Sequence, residues 1–137
     1  MMRVARRQQA AGLLPAEIRF TDDVAEAGAA DILLASGLLQ YLDRPFSELV
    51  AAFPEPPRHL VLNKVAQRDG PMVVTLQQIG RGRVPYQIRS RAAFEAEIDT
   101  MGYRVCDRWV IPELSHRIPT HPWLGDSESV GYALERR

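Results

Sequence analysis

Apolar residues fall in short blocks along the chain, and the spacing within each block predicts a different element. Val4 and Ala5 stand among Arg and Gln over residues 3–12, the pattern of an amphipathic helix stopped at Gly12. "AEIRFTDD" predicts a short strand ending in two acids, and either Asp22 or Asp23 can cap the helical turn "VAEAGA". Residues 31–36 read as an apolar strand, Ile32 to Ala35, that enters a small-residue turn at Ser36 and Gly37 and runs on into "LLQY". In "RPFSELVAAF", Pro45 sits at a helix start and Phe46, Leu49, Val50 and Phe53 share one face, before "PEPP" ends the helix. "RHLVLNKV" has a continuous apolar middle, which predicts a strand buried on both faces.

Strand, strand, helix, strand in that order predicts right-handed crossovers and a parallel sheet. Residues 66–90 then break the pattern: "PMVVTLQQIG" and "YQIRS" read as strands around a loop, "RGRVP", so this segment is inserted between core elements on the substrate side. "SRAAFEAEIDTMGY" predicts a helix capped by Ser90, with Phe94, Ile98 and Met101 inward and Gly102 at its end. A strand "RVCDRWVIP", a late loop over 112–127 and a last strand "SVGYALERR" complete the chain. The last strand is expected to be antiparallel, added to a mostly parallel sheet with helices on its faces, in one α/β domain over 1–137. In such sheets ligands sit beyond the carboxyl ends of strands, which puts Ser36 and Gly37 on ligand-binding ground.

Composition narrows the function classes. The chain has 137 residues, 46% hydrophobic, with 17 basic and 17 acidic side chains, so no net field draws nucleic acid or an anionic membrane surface. "MMRVARRQQAAGLLP" has no apolar core suited to secretion and no run reaches membrane length, which points to a cytoplasmic protein. The single cysteine, Cys106, has no thiol partner within the chain and is expected buried or half-buried on its strand.

Several strings together resemble one family. Asp31 to Asp43 with Pro45, containing "SGLLQYLDRP", are joined by Asp69-Gly70-Pro71, Thr75-Leu76-Gln77, Tyr86-Gln87-Ile88 and the closing Glu135-Arg136-Arg137. Together these resemble the C-terminal part of class I S-adenosylmethionine-dependent methyltransferases, and within them a family of uncharacterised methyltransferases with an SxxLQYL segment. The resemblance implies a Rossmann-like sheet of order third, second, first, fourth, fifth, seventh, sixth. It also implies that the first two strands are missing, because no Gly-rich cofactor turn occurs; Met1 then falls in the helix after the second strand. The strand at 31–36 becomes an uncovered edge, and a homodimer or a partner chain is expected to cover it.

The resemblance also assigns candidate residues, each with an ordinary structural alternative. Asp22 and Asp23 stand where the adenine amine of S-adenosylmethionine is held, or serve as a helix cap. Ser36, Gly37 and Leu38 flank the cofactor, or form a plain tight turn. Gln40 and Tyr41 lie near the transferred methyl group, although a tyrosine packed with its hydroxyl at the surface fits equally. Asn63 and Lys64 end a strand at the same rim, as substrate contacts or a turn cap.

The late loop brings His116, His121, Trp123 and Asp126. Either it closes over a cleft, or it is a proline-stiffened surface connection with Trp123 anchored in the core. His-x4-His with interposed prolines has no standard zinc geometry, so no metal is expected. Arg81, Arg83, Arg89 and Arg91 form a basic cluster, a solvated face or a contact for an acidic substrate. The implied function is methyl transfer to oxygen or nitrogen of a small molecule, incomplete in these residues alone. The competing expectation is a non-catalytic domain that acts as a binding or assembly module through its strand edge.

Overall fold

A computed structural model describes residues 2–137, with the side chain of His116 left out of the description. The elements in chain order are helix α1 (Met2–Ala10), strand β1 (Ile32–Ser36), helix α2 (Phe46–Ala51), strands β2 (His59–Arg68), β3 (Val73–Ile79) and β4 (Gly82–Ser90), helix α3 (Arg91–Thr100), and strands β5 (Tyr103–Val110), β6 (His116–Arg117) and β7 (Asp126–Arg136). Together the strands make one mixed sheet, so the protein is α/β.

β2 is the axis of the sheet. Along one flank it pairs in parallel first with β1, from Ile32↔His59 to Ser36↔Asn63, and then with β4 at Gln67↔Arg89 and Arg68↔Ser90. Along the other flank it pairs antiparallel with β7, which in turn pairs antiparallel with β5 and β6. β1, β2, β4, β5 and β6 therefore run one way, against β3 and the last strand β7, so the expected direction of the last strand holds. The sheet is mixed rather than mostly parallel: among the described residues β2–β7, β5–β7, β6–β7 and β3–β4 pair antiparallel and only β1–β2 and β2–β4 pair in parallel. The path β1-β2-β7-β5 is the core, and the β3–β4 hairpin is added beside the far half of β2.

The apolar spacing explains the packing. Leu60, Leu62 and Val65 of β2 meet Val130, Tyr132 and Leu134 of β7, and onto this face fold Phe46, Leu49 and Val50 of α2 with Phe94 and Ile98 of α3. Tyr103 closes the cluster and donates its hydroxyl to Pro57 O at 2.5 Å, satisfying the one polar atom it carries inward. Ser90 caps α3, its hydroxyl accepting from Ala93 N.

Four further expectations are corrected. "EIRF" is irregular chain rather than a strand, because no neighbouring strand is there to complete a ladder. Its carbonyls are met instead by α1: Gln9 Nε2 donates to Pro15, Ala16 and Ile18, and Arg6 to Phe20. "RGRVP" is mostly strand: the hairpin turns at Gly80 and Arg81, and Pro85 is accommodated because β4 pairs on one side only at that point. α2 and α3 share one face of the sheet, and α1, made largely of Arg and Gln, buries no residue, so the described helices do not cover both faces. Cys106 is exposed, because it is the extra residue of a bulge in β5 between Val105 and Asp107.

The face opposite α2 and α3 shows its apolar row openly, with Ile32 58% and Leu34 68% exposed. Among the described residues β1 has no partner besides β2, so the other edge of its backbone is free. No described helix is long and apolar enough to cross a membrane. This one-sided core has a direct test in urea denaturation. Phe94→Ala should cost about 3–5 kcal/mol, and Leu34→Ser should stay within about 0.5 kcal/mol of the parent chain; equal losses would contradict a one-sided core.

Candidate functional site

The polar centre of the molecule arises from a slip in β2. Leu62 and Val65 are three residues apart, yet both are fully buried on the same face, which strict alternation forbids. The extra residue is absorbed at Asn63 and Lys64, opposite the single residue Gly131 of β7, and Lys64 takes a left-handed backbone with φ 60°. A lysine in that region carries strain that a glycine would not. The break is also where the flank of β2 changes partner, from β1, which ends at Ser36, to β4, which begins to pair at Gln67. A notch opens there at the carboxyl end of β1, the position at which open α/β sheets hold ligands.

A row of side chains crosses the sheet at this level. Trp109 of β5 lies over Gly131, where an added Cβ would come within 1.9 Å of its ring, so only glycine permits the approach. Reaching across β7, the Trp109 indole donates to Asn63 Oδ1 at 3.3 Å. An indole N–H can only donate, so the Asn63 amide is oriented with Nδ2 away from it, where it donates to Ser36 Oγ at 3.4 Å. The Ser36 hydroxyl therefore accepts from Asn63.

The turn after β1 completes the cluster. Gly37, at φ 65°, donates its N–H to Asn63 O at 2.9 Å, and Gln40 Nε2 and the Lys64 stem lie 3.6 and 4.0 Å from where a Gly37 Cβ would stand. Gln40 is buried, and its Oε1 is a buried acceptor without a hydrogen-bond partner. The hairpin holds the turn in place: Tyr41 donates to Gln77 Oε1 at 2.6 Å and packs edge-on to Tyr86, and Gln87 Nε2 donates to Leu42 O at 2.6 Å. Burial pushes the Tyr86 hydroxyl above its ordinary pKa, with the Tyr41 phenol adding to the effect. A cavity of about 430 Å³ opens beside Gln40 and Tyr41, lined also by Asp43, Ile79, Val84, Pro85 and Gln87.

Of the residues named from sequence, Ser36, Gly37, Gln40, Asn63 and Lys64 come together here. Leu38 is exposed at the rim, and Tyr41 joins through its cavity. Asp23 accepts from Ala25 N at 2.9 Å as the cap of a short helical turn, and among the described interactions neither it nor Asp22 reaches the cluster. His121 and Trp123 pack as a tilted ring pair, centroids 4.9 Å apart, with Trp123 73% exposed, so the indole anchors nothing in the core. The side chain of His116 lies outside the described residues, and Asp126 pairs with Arg117. Among the described residues no group of His, Cys, Asp and Glu could hold a metal ion.

In the basic cluster Arg81 and Arg83 are exposed and Arg91 pairs with Asp69 and Glu128, but Arg89 is buried, contrary to a solvated face. Trp109 and Gly131 were not anticipated as site residues. The signal was present: a glycine inside the apolar alternation of "SVGYALERR" marks a close approach.

Among the described residues the cluster offers the Ser36 hydroxyl, the Asn63 and Gln40 amides and the Lys64 cation, with the Asp43 carboxylate lining the cavity beside Gln40 and Tyr41. Such a set has the chemistry to orient a polar ligand by hydrogen bonds. No family model matches the sequence, and no curated protein matches it significantly.

The strain at Lys64 gives a prediction. Lys64→Gly should raise stability by up to about 1 kcal/mol in urea denaturation, because the relief of the left-handed conformation exceeds the added freedom of the unfolded chain. A clear loss of stability would mean that the Lys64 side chain itself holds the bulge together.

Proposed function

We propose that these 137 residues form the C-terminal part of a cytoplasmic S-adenosylmethionine-dependent methyltransferase domain acting on oxygen or nitrogen of a small molecule. The observation that carries this reading is the path β1-β2-β7-β5, in which an antiparallel last strand lies between two strands of opposite direction to it. It corresponds to the order fourth, fifth, seventh, sixth of the class I methyltransferase sheet. The notch at the end of its fourth strand, bounded by Ser36, Gly37 and Gln40, falls on the cofactor side in that scheme.

The residues present fit one wall of a cofactor site. Ser36, Gly37 and Leu38 would flank S-adenosylmethionine, and Asp22, free of the capping role of Asp23, remains for the adenine amine. Gln40, Tyr41, Asn63 and Lys64 would face the methyl acceptor. When bound, the cofactor supplies an electrophilic methyl group, so the protein has chiefly to orient the acceptor in line with it. The second wall has no counterpart here: Gly80 and Gly82 belong to a hairpin turn, and no Gly-rich turn follows a strand and opens a helix. That wall comes from outside residues 1–137. The free edge of β1, with Ile32 and Leu34 exposed beside it, is assigned to a strand of a second chain, in a homodimer or with a partner. The same exposed edge is what favours the alternative, an assembly module without catalysis.

Calorimetric titration and amide NMR with S-adenosylhomocysteine, run beside light scattering, test the proposal. The monomer should bind in the millimolar range, with shifts confined to Asp22, Ser36, Gly37, Leu38, Gln40, Tyr41, Asn63 and Lys64, and binding should tighten to micromolar in an associated form. Shifts elsewhere, or none at millimolar ligand, would overturn the cofactor reading in favour of the module. A monodisperse monomer at micromolar concentration would count against the covered edge.

A further inference from the structure

A second cavity lies next to the one beside Gln40 and Tyr41, sharing Asp43 and Gln87 with it. A cavity of about 500 Å³ is bounded by Asp43, Arg44, Pro45, Ser47, Met72, Gln87, Arg89 and Glu97. Arg89, only 8% exposed, enters it from β4. Its guanidinium donates to one acceptor, Leu39 O at 3.0 Å, and rests over the Phe94 ring. Nε is buried without a partner, and among the described residues no carboxylate comes within ion-pair distance. A buried guanidinium with no counter-ion is costly, and proteins rarely keep one without a use for it. Burial accordingly pulls its pKa down, with Glu97 opposing the shift.

We infer that this cavity binds a small organic carboxylate, whose anionic group pairs with Arg89 and whose apolar part lies against Met72 and Pro45. The planar fork of a guanidinium matches a carboxylate in two parallel hydrogen bonds. Arg44 at the exposed rim adds a second positive charge. Glu97 is already engaged, since its Oε1 accepts from Ser47 N and Ser47 Oγ, both at 2.8 Å. The charges of Asp43 and Glu97 balance those of Arg44 and Arg89, which disfavours a dianion such as phosphate and leaves the fork of Arg89 as the anchor for a monoanionic carboxylate. The cavity shares Asp43 and Gln87 with the one beside Gln40 and Tyr41, but its anchor, Arg89, and the groups around it, Ser47, Met72 and Glu97, take no part in the cofactor reading.

Butyrate and phenylacetate serve as probes, their amides as neutral controls and inorganic phosphate as the competing anion, with binding followed by NMR of the Arg89 Nε–H and the Ser47 and Gln87 amides. Carboxylates should bind and amides should not. Arg89→Lys, which keeps the charge but not the fork, should weaken binding about tenfold or more. Glu97→Gln should tighten it by removing repulsion. Arg89→Met should abolish binding while leaving the urea midpoint unchanged or raised, as expected when an unpaired buried charge is replaced by an apolar chain. Equal response to the amides, tighter binding of phosphate, or weaker carboxylate binding in Glu97→Gln would overturn the inference. A loss of stability shared by Arg89→Lys and Glu97→Gln would identify the pair as a structural ion pair instead.

Discussion

The extra residue in β2 is the constraint on which the rest of this structure depends. Because Leu62 and Val65 both face the core, the strand must absorb one residue between them, and it does so at Asn63 and Lys64 opposite Gly131. That slip lets one strand serve two partners on the same flank, β1 before it and β4 after it. It also places Asn63 under the Trp109 indole and beside Ser36, so a packing irregularity in the core becomes a row of polar groups at the rim. The strain in Lys64 is local to this point, as strain commonly is at ligand sites.

The architecture divides the molecule into a finished half and an open one. α2 and α3 close one face over a core of aromatic and aliphatic side chains, in which Tyr132 donates to the buried Gln67 Oε1 and is edge-on to Phe94. The other face and the β1 edge keep Ile32 and Leu34 in solvent. Cofactor binding and association are thus coupled in the proposed function: whatever completes the sheet beside β1 also completes the wall facing Ser36. The carboxylate cavity at Arg89 stands on the finished half and needs no such completion.

Much of this was legible in the amino-acid pattern, and the failures have physical causes. The helices at Phe46 and Arg91 and the main strands follow from spacing, because each satisfies its period within its own residues. Ser36, Gly37 and Asn63 were also legible, since the end of an apolar strand in an α/β order marks the ligand side. "EIRF" failed because a strand needs a neighbour, and a neighbour is not written in local alternation. Trp123 has the size of an anchor, but its segment is held by Ile118 against Tyr86 and Ile88, and the indole itself stays in solvent. The spacing of Leu60, Leu62, Val65 and Gln67 did encode the slip, but a continuous apolar run hides a change of phase. Arg89 was grouped with exposed arginines by sequence proximity, and only the turn at Leu39 folding over β4 shows it to be buried.

The organising row can be tested by hydrogen exchange at the two indole N–H groups. The account predicts slow exchange at Trp109, held by Asn63, and fast exchange at the exposed Trp123. In Gly131→Ala and in Asn63→Leu the Trp109 signal should exchange as fast as Trp123, while the fold persists. Equally fast exchange of both indoles in the parent chain, or a Trp109 indole that stays protected in both variants, would contradict the claim that the slip in β2 builds this site.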